Sequence, residues 1–146
     1  MKPNKLFVYG ILKRGYELDL SDHKATFLGD AHIDGAVLYG IGHIWRHESH
    51  PNEGRQYHGV GLKLDVGPLE VAYGELWDIP NTLWDWLDSI EQNGYVYTRK
   101  VVPVKLQEYP AGAPYDSEVY KTVDAWTYEH CYPDFSYDNK IEGGKF

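Results

Sequence analysis

Short apolar runs recur along this chain and are typical of β-strands, and in one of them, residues 59–66, apolar and polar positions alternate with a period of two. An Asp34-Gly35 pair separates two of these runs, and an Asp-Gly pair between apolar runs predicts a β-hairpin. The predicted strands cover residues 6–9, 25–33, 36–39, 59–66, 70–79, 97–109 and 120–130.

A different periodicity occupies residues 81–94, which read NTLWDWLDSIEQNG. Apolar residues recur there at positions i, i+4 and i+7, on one face of a helix. Asn81 or Asp78 is expected to cap the start of this helix, and Gly94 to end it. The residues that form the apolar face are Leu83, Leu87 and Ile90.

Three segments lack either period and are predicted to be irregular. Residues 43–59 are polar and suggest a surface excursion, residues 110–118 a turn-rich loop, and residues from about 131 to 146 an irregular tail. Many strands with one helix indicate an α+β (mixed α/β) fold. The length of 146 residues predicts one domain, 1–146, and its strands could close into a small barrel, although the pattern leaves closure open.

Composition narrows the class of protein. A net charge of −8 with scattered basic residues argues against nucleic acid or an anionic membrane as the main partner. The single cysteine, Cys131, excludes an internal disulfide and a cysteine zinc site, and it favours a reducing compartment. The first residues do not resemble a signal peptide, and no apolar run is long enough to span a bilayer. These features predict a soluble, cytoplasmic domain.

Glu91 is the residue that fits its predicted helix least well. It follows Leu87 by four positions and so lies beside the apolar face, in the last turn, where the helix dipole disfavours negative charge. Two interpretations stay open. Glu91 is solvated or paired with Arg99, or it lies at the mouth of an apolar pocket, where burial would raise its pKa and suit it to acid–base catalysis. Asp88 is expected to point further round, toward solvent.

Four short motifs follow one another in a recognisable order: Tyr9-Gly10-Ile11-Leu12, Gly74-Glu75-Leu76-Trp77, Leu87-Asp88-Ser89-Ile90-Glu91 and Tyr97-Thr98-Arg99. In these motifs and their order the chain resembles the γ-glutamylcyclotransferase-like family, which includes the γ-glutamylamine cyclotransferases and the AIG2-like proteins. The resemblance implies a small mixed β-barrel with flanking helices and a cavity at one end. It also implies an enzyme that needs no cofactor or metal.

The resemblance further implies an activity and a set of site residues. The activity is release of 5-oxoproline from a γ-glutamyl amine or amino acid by intramolecular aminolysis, with Glu91 as the catalytic acid/base. Gly10, Ile11 and Leu12 would bind the α-amino-acid end of the substrate through their main chain, and Tyr9 would form a wall of the pocket. Tyr97 and Tyr128 lie in strands that should neighbour this pocket, so each is expected either to bind the ligand or to pack in the core.

One departure from the family motif leaves an alternative function open. Ile11 stands where the family usually has Ser or Thr. If that hydroxyl orients the substrate, its loss favours a non-catalytic protein that binds or sequesters a small metabolite on the same fold.

The histidines His43, His47 and His50 have spacings of four and three, which on a helix would place them on one face and allow a metal site. Glycines and Pro51 surround them, so a solvated loop is the prediction and no metal is expected.

Overall fold

The computed structural model describes residues 4–9, 19–44, 56–91, 94, 97–108, 119–130, 140, 141 and 144, and for residues 41–44 and 56–59 it describes the main chain only. Within these ranges the chain forms seven strands, one α-helix and two short 3₁₀ helices. The strands are β1 (Lys5–Val8), β2 (Thr26–Asp34), β3 (Val37–Ile44), β4 (Gln56–Lys63), β5 (Val71–Asp78), β6 (Tyr97–Glu108) and β7 (Val119–His130). The helices are α1 (Trp84–Ile90) and the 3₁₀ turns Leu20–His23 and Asn81–Leu83.

Five of the strands close into a barrel in the order β1-β5-β2-β6-β7. β1 lies parallel to β7, with Leu6 opposite Trp126, and the other barrel pairs are antiparallel. Strands β3 and β4 form a separate two-stranded antiparallel sheet. The expected α+β class and the small β-barrel are therefore confirmed.

Two buried clusters lie on opposite sides of β1, because successive side chains of a strand point to opposite faces. Phe7 and Tyr9 belong to one cluster, and Leu6 and Val8 to the other. The first cluster combines barrel residues with Leu38, Val60 and Leu62 of the β3-β4 sheet; the other barrel residues in it are Ala31, Ile33, Ala72, Leu76, Val104 and Ala125. The second cluster places α1 against the barrel; its members include Leu20, Trp77, Ile79, Leu87 and Tyr128.

The hairpin predicted at Asp34-Gly35 is wrong. Gly35 does turn the chain, with a φ of +74°, and its N–H donates to Glu70 O at 2.7 Å. The strands on either side of it, however, do not pair with each other, since β2 pairs with β5 and β6 while β3 pairs with β4. The turn instead takes the chain out of the barrel and into the second sheet.

The polar excursion predicted over residues 43–59 is partly wrong. β3 continues to Ile44 and β4 begins at Gln56, so the two ends of this segment are strand, with His43 opposite Tyr57. Backbone pairing extends the strands beyond their apolar residues. Because His43 lies in a strand, the helical face considered for a metal does not form there; His47 and His50 lie outside the described residues.

The described part of the predicted irregular tail is attached to β3. Lys140 bridges Tyr39, and the Ile141 N–H donates to Leu38 O at 2.9 Å. Ile141 also packs on the first buried cluster. Beyond residues 140, 141 and 144, the segment 131–146 lies outside the described residues.

Helix α1 is shorter than the predicted 81–94 helix. It covers Trp84–Ile90, behind the 3₁₀ turn Asn81–Leu83. Neither Asn81 nor Asp78 caps it: Pro80 precedes the 3₁₀ turn, Leu83 precedes α1, and neither supplies a side-chain hydrogen bond. No helix in the described ranges is long and apolar enough to cross a membrane.

Candidate functional site

Three strand ends meet at one end of the barrel and bring together the described residues of the predicted site, which are Tyr9, Glu91, Tyr97 and Tyr128. β1 ends next to Tyr9, β6 begins at Tyr97, and β7 ends just beyond Tyr128, with Tyr97 paired to His130. Glu91 follows the last residue of α1, and its N–H donates to Leu87 O at 3.0 Å. The helix therefore ends with Glu91 beside this end of the barrel.

Glu91 has an altered acidity because it is withdrawn from water. Burial raises the pKa of its carboxyl from an ordinary value of 4.5 to about 7. Its charge in turn raises the pKa of Tyr9, Tyr97 and Tyr128, so the carboxylate lies near all three phenols. Near neutral pH, Glu91 is therefore divided between its acid and its carboxylate forms, as a group that both takes and returns a proton requires.

Tyr9 is buried, and its hydroxyl donates a 2.5 Å hydrogen bond to the main-chain carbonyl of Tyr128. Burial raises its pKa well above the ordinary value, and the neighbouring Tyr97 and Glu91 raise it further. The phenol consequently stays protonated and keeps its proton on that carbonyl.

Tyr97 connects the site to the second sheet. Its hydroxyl donates to Val60 O in β4 at 2.9 Å, and its ring lies 5.3 Å from that of His130. Burial and then the charge of Glu91 raise its pKa. His130 Nδ1 is 2.8 Å from the hydroxyl of Tyr39 in β3.

Tyr128 is fixed by helix α1. Its hydroxyl donates to Asp88 Oδ1 at 2.7 Å, and burial, followed by this bond and the Asp88 charge, raises its pKa. The expectation that Asp88 points toward solvent is wrong, because the carboxylate is partly buried and its Oδ2 lies 3.4 Å from an Arg99 nitrogen. Within the described part of the chain, Arg99 thus pairs with Asp88 and not with Glu91.

The hydroxyls of Tyr9, Tyr97 and Tyr128 all donate their protons to protein oxygens. A tyrosine hydroxyl has a single proton and two lone pairs, so toward a ligand these oxygens act as acceptors. Together with a carboxylate, such a set suits an amine or ammonium group better than a second carboxylate. Gly10, Ile11 and Leu12 lie outside the described residues.

Neither a group of metal ligands nor a depression elsewhere on the barrel adds a site next to Glu91 in the described part of the chain. Among the described His, Cys, Asp and Glu side chains, no three lie together as metal ligands. A depression of about 270 Å³ occupies the opposite end of the barrel, where β1 begins and β5 ends. Its lining is mostly polar and includes Asn4, Lys24, Thr26 and Asp78, but neither Glu91 nor any of the three tyrosines.

Sequence reasoning missed Tyr39, His130 and the inward orientation of Asp88. Tyr39 lies in an apolar run and His130 at the end of a predicted strand, so neither position carried a local signal of a site. Their hydrogen bond joins residues 91 positions apart, and only the packing of the second sheet on the barrel brings them together.

The family model of gamma-glutamyl cyclotransferase, AIG2-like, matches residues 6–146. This chain belongs to the AIG2-like gamma-glutamyl cyclotransferase family. Family membership supports a cyclotransferase-type function in general, with a small molecule as the substrate. No curated protein matches the chain in sequence.

Solved structures that share this fold have low sequence identity to this chain. An uncharacterized protein from Pyrococcus horikoshii has a TM-score of 0.60 and 20% identity over 97% of this chain and 88% of that one. An AIG2-like protein from Mus musculus has a TM-score of 0.55 and 20% identity over 100% and 89%. A structure described as gamma-glutamyl cyclotransferase has a TM-score of 0.54 and 16% identity over 86% and 65%. At these identities the structures support the fold alone.

Proposed function

We propose that this chain releases 5-oxoproline from a γ-glutamyl amine or γ-glutamyl amino acid, with Glu91 as general acid and base. One observation carries the proposal: Glu91 is a partly buried carboxylate with a pKa of about 7, at a barrel end lined by Tyr9, Tyr97 and Tyr128. Such a pKa places the group near its optimum for proton transfer at neutral pH.

The proposed reaction takes place within one substrate molecule. Glu91 as carboxylate accepts a proton from the substrate's α-ammonium, and the freed amine attacks the γ-carbonyl carbon to form a C–N bond. Glu91 then returns the proton to the original amide nitrogen, whose bond to the γ-carbon breaks. The ring nitrogen still carries one proton too many, and Glu91 passes this second proton to the released amine. The products are therefore 5-oxoproline and an ammonium ion, and all four N–H protons of the substrate are accounted for. Because both reacting groups belong to one molecule, catalysis is mainly a matter of folding the substrate and moving that proton.

In this proposal the tyrosine hydroxyls would orient the substrate through hydrogen bonds. Tyr9 and Tyr97 offer acceptor oxygens near Glu91, and an ammonium group offers three donors to such a set. The α-carboxylate of the substrate would then bind the main chain of Gly10, Ile11 and Leu12, as the family resemblance implies. Ile11 can act there only through its backbone, because its side chain has no hydroxyl. The single Cys131 favours a reducing compartment, so we propose a cytoplasmic location.

The test is a 5-oxoproline assay on the purified chain with γ-glutamyl amino acids, γ-glutamyl amines and glutathione. Wild type is expected to release 5-oxoproline, and Glu91→Gln to lose activity by about 10²–10⁴-fold, since the amide cannot exchange the proton. Asp85→Asn is the matched control, because Asp85 is exposed on the same helix. No turnover of any substrate by folded wild type would refute the proposal. Calorimetric binding without turnover would instead favour the metabolite-binding alternative.

A further inference from the structure

Arg99 of β6 contacts two tryptophans from different elements. Its guanidinium carbon is 4.7 Å from the ring centre of Trp84, the first residue of α1, and 4.5 Å from that of Trp126 in β7. Cation–π contacts at these distances hold a planar guanidinium in place more effectively than they hold an ammonium. One side chain of β6 therefore contacts both the start of α1 and the neighbouring strand.

The same guanidinium contacts the helix again one turn later. It lies 3.4 Å from Asp88 Oδ2, while Asp88 Oδ1 accepts the hydroxyl proton of Tyr128. The side chains of Arg99 and Asp88 are only 22% and 25% exposed, so this pair is less screened than a surface ion pair. We name the group Trp84, Asp88, Arg99 and Trp126 the arginine clamp.

Helix α1 depends on such contacts for its position. It has seven residues and no side-chain hydrogen bond at its N-terminal cap. A helix of this length is not stable in isolation and is held by tertiary packing. Within α1 only Leu87 is fully buried, so the arginine clamp is a major further contact between the helix and the barrel.

We propose that Arg99 is a positioning residue, which holds α1 on β6 and β7 and thereby keeps the carboxylate of Glu91 against Tyr9 and Tyr97. Arg99 does not touch the reacting atoms in this arrangement; it acts through Trp84 and Asp88. The catalytic consequence rests on the proposed function, whereas the positioning itself is measurable without a substrate.

Removal of Arg99 has two possible effects on Glu91, and they have opposite signs. Among the described residues, the charge of Glu91 acts on Tyr9 from β1, Tyr97 from β6 and Tyr128 from β7, and the charges of Asp88 and Arg99 act on the same Tyr128. Loss of a nearby cation alone would raise the pKa of Glu91. Release of the helix end into water would lower that pKa toward 4.5, because burial is what raises it.

The experiment is a carbon-13 NMR titration of the Glu91 side-chain carboxyl, identified by the loss of its signal in Glu91→Gln. In Arg99→Gln we expect the pKa to fall by about one unit or more. Lys105→Gln is the matched control, because Lys105 lies on the same strand as Arg99 and its replacement removes one positive charge from an ion pair with Asp34 of β2, away from Glu91. Its Glu91 pKa should equal that of wild type. A rise, or no change, in folded Arg99→Gln would overturn the proposal.

Two further variants keep the test decisive if Arg99→Gln does not fold. Arg99→Lys keeps the charge but loses the planar face, and Asp88→Asn keeps an acceptor for Tyr128 but loses the ion pair. Arg99→Lys is expected to lower the Glu91 pKa, and an unchanged value in folded Arg99→Lys would overturn the proposal. Asp88→Asn also removes a negative charge near the helix end, which by itself lowers the Glu91 pKa, so its fall supports the proposal only when Arg99→Lys shows the same direction. If wild type itself forms no 5-oxoproline, the proposed function fails while the titration still decides the role of Arg99. If wild type is active, the variants should lose about 10-fold or more in kcat, with the acid limb of the pH profile shifted to lower pH.

Discussion

The hydroxyl of Tyr9 donates its proton to the main-chain carbonyl of Tyr128, 119 residues later in the chain. This bond lies where the first and last barrel strands run parallel, beside the short Leu6–Trp126 pairing. A buried side chain thus closes the barrel at the end where Glu91 lies. Stability and the geometry of the candidate site are linked through one phenol.

Tyr9→Phe should consequently destabilise the fold. The substitution leaves the Tyr128 carbonyl without its donor in a buried setting, which costs about 1–3 kcal/mol in the free energy of unfolding. Tyr73→Phe is the control, because Tyr73 is 41% exposed and its loss should change stability by less than about 0.5 kcal/mol. Urea unfolding followed by tryptophan fluorescence measures both. Equal stability of the two variants would contradict a structural role for the Tyr9 hydrogen bond.

The contribution of Glu91 to the free energy of unfolding should decrease as the pH rises. Its folded pKa of about 7 lies above the ordinary value of 4.5, so between these values the folded state holds a proton that the unfolded state has lost. By linkage, the contribution of Glu91 is fully present below pH 4.5 and decreases as the pH rises to about 7. At pH 8, Glu91→Gln should therefore be more stable than wild type by about 2–3 kcal/mol, after allowance for partial exposure.

The measurement for Glu91→Gln is a series of urea unfolding curves from pH 4 to pH 8. The variant and wild type should agree at the acid end and diverge above it. Asp85→Asn, on the exposed side of α1, should follow wild type throughout. A constant difference between Glu91→Gln and wild type across the series would mean that Glu91 has no raised pKa in the folded state.

The rate of 5-oxoproline release should decrease in acid because of the same group. A glutamate can act as a general base only in its carboxylate form. At pH values well below the folded pKa of about 7, kcat/KM should therefore fall tenfold for each unit by which the pH decreases. The substrate's own ammonium adds a second dependence at higher pH. Profiles should be measured with one substrate whose amine pKa is known, so that the two limbs can be separated. An acid limb near pH 4.5 would show an unperturbed Glu91.

The strands could be predicted from the sequence, and Glu91 could be singled out as a candidate, because both depend on local spacing. Alternation identifies a strand regardless of its partner, and a carboxylate beside an apolar helical face is visible within two turns. Which strands pair with each other cannot be derived from local spacing. The Asp34-Gly35 signal reports a turn but not which strands meet, and β2 pairs with β5 through residues some forty positions away.

Asp88 shows the same limit at the level of one side chain. Helical spacing placed it away from the apolar face defined by Leu87, yet that direction is covered by Tyr128 and Arg99 from two other strands. Which element covers a helix face depends on barrel closure, and closure depends on contacts distant in sequence. The local pattern therefore singled out the carboxylate at the helix end but not the contacts of Arg99 with Trp84, Asp88 and Trp126.

Gly74 offers a test of how closely β1 must approach β5 beside the site. A Cβ at Gly74 would overlap the carbonyl of Val8 and come within 2.8 Å of Phe7 Cζ, and backbone cannot move aside as a flexible side chain can. Gly74→Ala should therefore displace β1 or lower stability by about 3 kcal/mol or more. Gly67→Ala is the control, since Gly67 has open space around it but a φ of +117°, so the substitution should cost only about 1–2 kcal/mol of backbone strain.

Hydrogen exchange at the amides of β1, combined with urea unfolding, distinguishes a displaced β1 from a general loss of stability. We expect faster exchange at Phe7 and Val8 in Gly74→Ala but not in Gly67→Ala. Wild-type exchange in Gly74→Ala would mean that β1 can shift without loss, and the Tyr9 hydroxyl would then not require this close approach.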